Sequence, residues 1–231
     1  MKKLQKAQLI IFNSQKLKVI ILTIAFCLLP IASINAQQIA ILKYNGSGDW
    51  YANPTALPNL IEFCNNAINT TIKTNLETVE ANSIDVFNYP ILFMTGHGNV
   101  IFSKDAITNL KTYLISGGFL HISDNYGLDK FIRREFKRIF PTLDFQEIPF
   151  NHPIYHQTFD FEEGVPKIHE HDNKPPQGFG LFYEGRLICF YDYEADLSDG
   201  WEDEEMHNDP LEIREKALQM GSNIIEYAFK N

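Results

Sequence analysis

The chain has 231 residues, 45% of them hydrophobic and 21% charged, with a formal charge of -9. That length and apolar content suit one domain with a full core. The acidic balance argues against nucleic acid and anionic membrane surfaces as partners.

Lys2, Lys3, Lys6, Lys16 and Lys18 make a basic, acid-free start. Residues 19–34 carry no charge and are mostly apolar, and Ala36 precedes the polar pair Gln37-Gln38. This is the pattern of a secretory signal peptide over 1–36, cleaved after Ala36. A bilayer span takes about 20 apolar residues. The run here is shorter and holds Pro30, so cleavage is favoured over an anchor. Cys27 follows Phe26 rather than a small residue, which disfavours a lipoprotein signal. The expected product is one periplasmic or secreted domain over 37–231, without a membrane span. Losing five lysines and no acids moves its formal charge from -9 to -14. Cys64 and Cys189 both sit in apolar patterns, so two buried thiols are favoured over the disulfide that export permits.

A strand is predicted over 38–43, followed by the polar, glycine-rich loop 44–51. That loop resembles a phosphate cradle but lacks P-loop spacing and a Gly-Lys-Ser/Thr. Asp49 and Trp50 suit ligand binding; Trp50 suits a packing plug equally. Residues 55–69 have helical periodicity, and 71–73 form a weak strand candidate. An apolar strand over 90–94 ends on Thr95-Gly96-His97-Gly98. Ser103 caps a helix ended by Gly117 and Gly118. A second apolar strand over 119–123 is closed by Asp124-Asn125-Tyr126-Gly127. Strand, helix, strand predicts parallel neighbours.

A helix over 128–140 stops at Pro141, with Arg133, Arg134, Lys137 and Arg138 on its solvated face. A strand follows over 145–148, then loops at 151–156 and 167–172. Strands over 179–183 and 186–191 are joined by Glu184-Gly185, the spacing of a two-residue hairpin. Residues 194–209 form an acidic loop, which Leu197 and Trp201 fold back onto the body. Pro210 opens a last helix to about 229. The fold class is α/β: a flavodoxin-like, doubly wound parallel sheet with flanking helices and a β-hairpin insertion.

Ligands of open parallel sheets sit outside the carboxyl ends of the strands. Here those ends carry Gly96, His97, Gly98, Ser123, Asp124 and Asn125. The glycines let a ligand approach the backbone and His97 projects at the edge. Ser123 stands where a nucleophile could, although no Gly-x-Ser-x-Gly elbow is present. Asp124 suits a base, a ligand or a helix cap, and capping is the commonest use. His121 alternates with Ser123 and reads as a buried core histidine. His169-x-His171 on a strand puts both rings on one face, and His156 or His152 could complete a divalent-metal site. The alternative is a polar seam in which these histidines pair with carboxylates. If one site exists, His97, Asp124, His169 and His171 converge.

Met94-Thr95-Gly96-His97-Gly98, the stretch 117–127, Asn151-His152-Pro153-Ile154-Tyr155-His156 and Ile168-His169-Glu170-His171-Asp172 strongly resemble the "domain of unknown function 4159" family. The likeness covers 38–229. The family looks like a branch of the class I glutamine-amidotransferase-like folds, near the trehalose-utilisation-protein-like branch. That implies a flavodoxin-like core but no activity. The resemblance puts a cysteine nucleophile after the second central strand, where this chain has Ser123-Asp124-Asn125, so glutaminase chemistry is not implied. The expectation is an exported domain binding a small polar ligand, such as a sugar, or an envelope protein at the sheet's carboxyl edge. The alternative is a hydrolase using a His/Asp/Glu cluster, with or without a metal.

Overall fold

The computed structural model describes residues 38–231; the expected signal peptide lies outside them. In chain order the elements are β1 (Ile39–Lys43), β2 (Asn45–Gly46), α1 (Ala56–Ala67), β3 (Glu77–Glu80), β4 (Ile91–Gly96), β5 (Val100–Ile101) and α2 (Lys104–Ile115). There follow β6 (Phe119–Asp124), α3 (Asp129–Ile139), β7 (Gln146–Glu147), β8 (Gln177–Tyr183), β9 (Arg186–Tyr193), α4 (Glu204–His207) and α5 (Leu211–Lys230).

The main sheet has the order β3-β1-β4-β6-β9-β8-β7. Its first five strands are mutually parallel. Taken in chain order they read 2-1-3-4-5, the flavodoxin-like arrangement. β8 and β7 extend it antiparallel. Helices cover both faces, so β4 and β6 are buried at every position and carry near-continuous apolar runs. α2 and α3 pack on one face with Leu42, Leu92, Met94 and Ile122. α1, α5 and Trp201 pack on the other with Phe93 and Phe190.

Ser103 caps α2 through its hydroxyl, which accepts the Ala106 N–H at 3.1 Å. Ser103→Ala should lower stability by about 1 kcal/mol, read as a shift in urea midpoint at unchanged slope. Glu184 and Gly185 both have positive φ, 49° and 83°, as a type I′ hairpin turn requires. The expected insertion is not separate from the core: β9 is the fifth parallel strand, and β8 simply adds to it. Cys64 and Cys189 are free, buried thiols. They lie in the cores on opposite faces of the sheet, which keeps them from pairing.

The weak strand candidate at 71–73 does not form. The Asn65 side chain accepts the Ile72 N–H and donates to the Ile72 carbonyl, both at 2.9 Å, taking the place of a strand partner. The edge strand is β3 instead, where only Val79 is buried. The basic residues of α3 are paired locally: Arg133 with Asp129, Arg134 and Arg138 with Glu135, and Lys137 with Asp144. Among the described residues no helix is long and apolar enough to cross a membrane.

Candidate site at the carboxyl edge of the sheet

Strand register sets Thr95, Ser123 and Asp192 side by side across β4, β6 and β9. One row deeper lie Phe93, His121 and Phe190. Alternation along each strand puts both rows on the α1/α5 face. That face therefore changes from aromatic to polar at its carboxyl end. Asp192 is fully buried and accepts the Ser123 hydroxyl at 3.0 Å. Its other oxygen lies 2.7 Å from His121 Nε2. The His121 ring sits 5.5 Å from Phe93 and 5.6 Å from Trp201.

The polar row carries further links. Ser123 accepts the Ser198 N–H at 3.2 Å. Thr95 and Ser198 each donate to the Asn125 amide oxygen at 3.0 Å. Asn125 donates to Asn53, and Asn53 donates to Asp199. A ladder of hydrogen bonds thus runs from the buried His121 to the acidic segment 194–209. That segment is folded, with a 3-10 turn at Asp199–Trp201 and the short α4. Leu197 and Trp201 are fully buried, and the Trp201 ring N–H donates to the Ala217 carbonyl at 2.8 Å.

Segment 168–172 runs beside 195–199, tied by Ile168 N–H to the Ala195 carbonyl at 2.8 Å. His169 Nδ1 is 3.1 Å from Asp199, and its Nε2 is 3.0 Å from Asp209. His171 pairs with Asp196 and stacks on Tyr126 with centroids 4.5 Å apart. His207 Nε2 is 2.9 Å from Glu202 and 4.0 Å from Asp199. The hydrogen bond to Asp199, helped by Asp209 and opposed by burial, pushes His169 up to about 9. Burial and then the charge of Asp199 push Asp196 up to about 6. Burial pushes Asp199 up too, but His169, Asn53 and His207 outweigh it and hold the carboxyl below its usual range.

The backbone around this lobe is strained. Tyr126, Glu194 and Asp196 have φ of 72°, 56° and 52°. A left-handed Tyr or Glu costs of order 1 kcal/mol or more, and such residues gather where a site fixes the chain.

The expected site residues separate into two groups. Asp49 and His97 meet at the topological switch between β1 and β4: Asp49 accepts the His97 N–H at 2.5 Å and faces His97 Nδ1 at 3.1 Å. The loops after β1 and β4 are zipped together by the β2–β5 ribbon. A Cβ on Gly96 would meet the Tyr44 hydroxyl at 2.4 Å and the Asp49 carbonyl at 2.8 Å. The close packing at Gly96 is therefore the chain's own, while Gly98 stands more open. Trp50 is partly buried against the α2/α3 core, with the Lys43 ammonium 5.6 Å from its ring.

Asp124 follows Ser123 and so faces the other side of the sheet. It is 2% exposed and accepts the Leu128 N–H, just ahead of α3, at 3.0 Å and the Tyr191 hydroxyl at 2.9 Å. Ser123 is fully buried as well. Asn125 joins the ladder instead. His169-x-His171 is not a strand, yet both rings meet carboxylates of one segment. His156 stands apart, engaged by Asp160 and by the Phe150 carbonyl at 2.7 Å. His152 is used locally, its Nδ1 accepting the Ile154 N–H at 3.2 Å. The partners not foreseen are Asn53, Asp199, Glu202, His207 and Asp209. Asp199, Glu202, His207 and Asp209 left one trace in the sequence, an acid-rich stretch that also contains Leu197 and Trp201, and Asn53 left none.

Sheet order defines a flavodoxin-like α/β domain, with buried polar side chains on the α1/α5 side of its carboxyl edge. Residues 38–229 match the family described as "Domain of unknown function (DUF4159)", and the chain belongs to it. No curated protein matches the chain.

Proposed function

We propose that the chain is an exported ligand-binding domain whose site is the acid and histidine lobe at the carboxyl edge. The ligand is small and polar, and brings positive charge or several hydrogen-bond donors. One observation carries the reading: the ladder Ser123, Ser198, Asn125 and Asn53 holds Asp199 in place from inside the fold. Such a rigid base under a charged lobe is what a preorganised site needs. A second reading, a hydrolase, is favoured by His169 and His207 bordering the same carboxylates, which suits general acid–base work. Trp201 is buried and offers no exposed apolar ring to an envelope partner.

The test is a thermal-shift screen of the untagged chain, in chelator, against neutral sugars, amino acids and small amines. The expected result is a saturable shift that Asp199→Asn abolishes and the surface change Asp144→Asn keeps. No saturable shift, or one indifferent to Asp199, overturns the reading. Export is read separately: the full chain expressed in a bacterium should leave the cytosol and begin at Gln37.

A further inference from the structure

We propose that His169, Asp199 and His207 bind one divalent transition-metal ion of the zinc class. This rests on the ligand-site reading above and gives that site its ion and its ligand atoms. One atom from each residue lies within 4.8 Å of the other two. A tetrahedral ion with bonds of about 2.05 Å sets its ligands about 3.3 Å apart. His169 Nδ1 and Asp199 Oδ2 are already 3.1 Å apart. His207 Nε2 stands 4.0 Å from the same oxygen and belongs to an exposed residue on a four-residue helix, so a small side-chain movement closes the set.

The surroundings are those of a supported ligand set. With Nδ1 on the ion, His169 keeps Nε2–H for Asp209, 3.0 Å away. A carboxylate behind the imidazole fixes its tautomer and orientation. Asn53 donates to the other oxygen of Asp199 and fixes that carboxylate. Glu202, 2.9 Å from His207 Nε2, borders the same space and offers a further oxygen.

A second observation bears on the same lobe. Asp196 is 1% exposed, and one of its carboxylate oxygens engages His171. The other is buried and has no hydrogen-bond partner. Leaving a buried carboxylate oxygen unpaired is costly. The Asp196 carbonyl accepts the Asp199 N–H at 3.1 Å, so both carboxylates stand on one turn. Asp196, Asp199, Glu202 and Asp209 outnumber the imidazoles facing them, so the lobe carries an excess of negative charge. Two imidazole nitrogens in the set select zinc and its neighbours over calcium and magnesium, which take oxygen.

The experiment is a calorimetric titration of the untagged, chelator-stripped chain with Zn²⁺, and separately with Ca²⁺, each backed by elemental analysis after dialysis. The expected result is one saturable equivalent of zinc. His207→Ala, a change at an exposed position, should weaken it by about 100-fold or more. Asn53→Ala should weaken it by about 10–100-fold, and His156→Ala should leave it unchanged. Circular dichroism checks the fold of each variant, and His207→Ala alone suffices if Asn53→Ala does not fold. No saturable zinc, equal affinity in His207→Ala, or saturation by Ca²⁺ alone overturns the metal site. The ligand screen is run in chelator, so its failure and the failure of the metal are read independently.

Discussion

Asp192→Ala is expected to cost about 3–5 kcal/mol, enough to unfold much of the population of a domain of ordinary stability. The side chain is fully buried at the carboxyl end of β9, between β6 and β8. It holds His121 at 2.7 Å and Ser123 at 3.0 Å. Removing it strands a ring nitrogen and a hydroxyl in a core built of Phe93, Phe190 and Trp201. The cost of leaving such groups unsatisfied exceeds what the pairing itself contributes. The effect should therefore be strongly non-additive. A triple change, Asp192→Leu with His121→Leu and Ser123→Ala, removes the carboxylate with both of its partners, orphans only the Ser198 N–H, and should recover part of the loss. Urea midpoints of the wild type, single and triple variants decide it. A single variant within 1 kcal/mol of wild type would show that the Asp192 linkage contributes little to the fold.

The same residue shows what could and could not be read in advance. Residues 90–94 and 119–123 are apolar runs of strand length with a capped helix between them, so parallel pairing follows from local patterns alone. Both cores were visible for the same reason. β3 was missed because a sheet edge with one face wet leaves one buried side chain in four residues. The mistaken strand at 71–73 had the right composition, but a side chain had already taken its backbone hydrogen bonds. At the candidate site, the sequence pointed to the carboxyl edge because strand ends there carry polar residues. Alternation alone sets Ser123 and Asp124 on opposite sides of the strand, but the sequence could not say which helices cover each side. Nor could it join Asn53 to Asp199, 146 residues apart. Such a pairing exists only once α1 and the acidic segment pack on the same face. His97 and His169 were both sensible choices, and they answer to different carboxylates, Asp49 and Asp199.

Asp124 makes the domain lose stability as pH rises from about 4 to about 7, and Asp124→Asn should remove that part of the slope. Burial pushes the carboxyl up to about 7, with Asp192 of β9 and Asp129 of α3 adding to it. The Leu128 N–H and the Tyr191 hydroxyl pull the other way. Tyr44, itself pushed up by burial and by the charges of Asp49 and Asp124, stays neutral and adds no charge of its own. Arg133 of α3 is taken by Asp129 at 2.6 Å.

The sign follows from proton binding. An unfolded aspartate titrates near 3.9. Between that value and about 7 the folded state holds the proton more tightly, so unfolding releases it and stability falls with rising pH. The contribution is complete below about 4, gone above about 7, and on the order of 4 kcal/mol across the interval. Asparagine keeps an acceptor for the Leu128 N–H but cannot ionise. Asp196 and His169 also shift the common slope, so the informative quantity is the difference between the two curves. Urea unfolding of both proteins at pH 4.5, 5.5, 6.5 and 7.5 should give lines that converge or cross toward low pH, with the variant gaining at pH 7.5. Parallel lines would mean that Asp124 ionises freely in the folded chain.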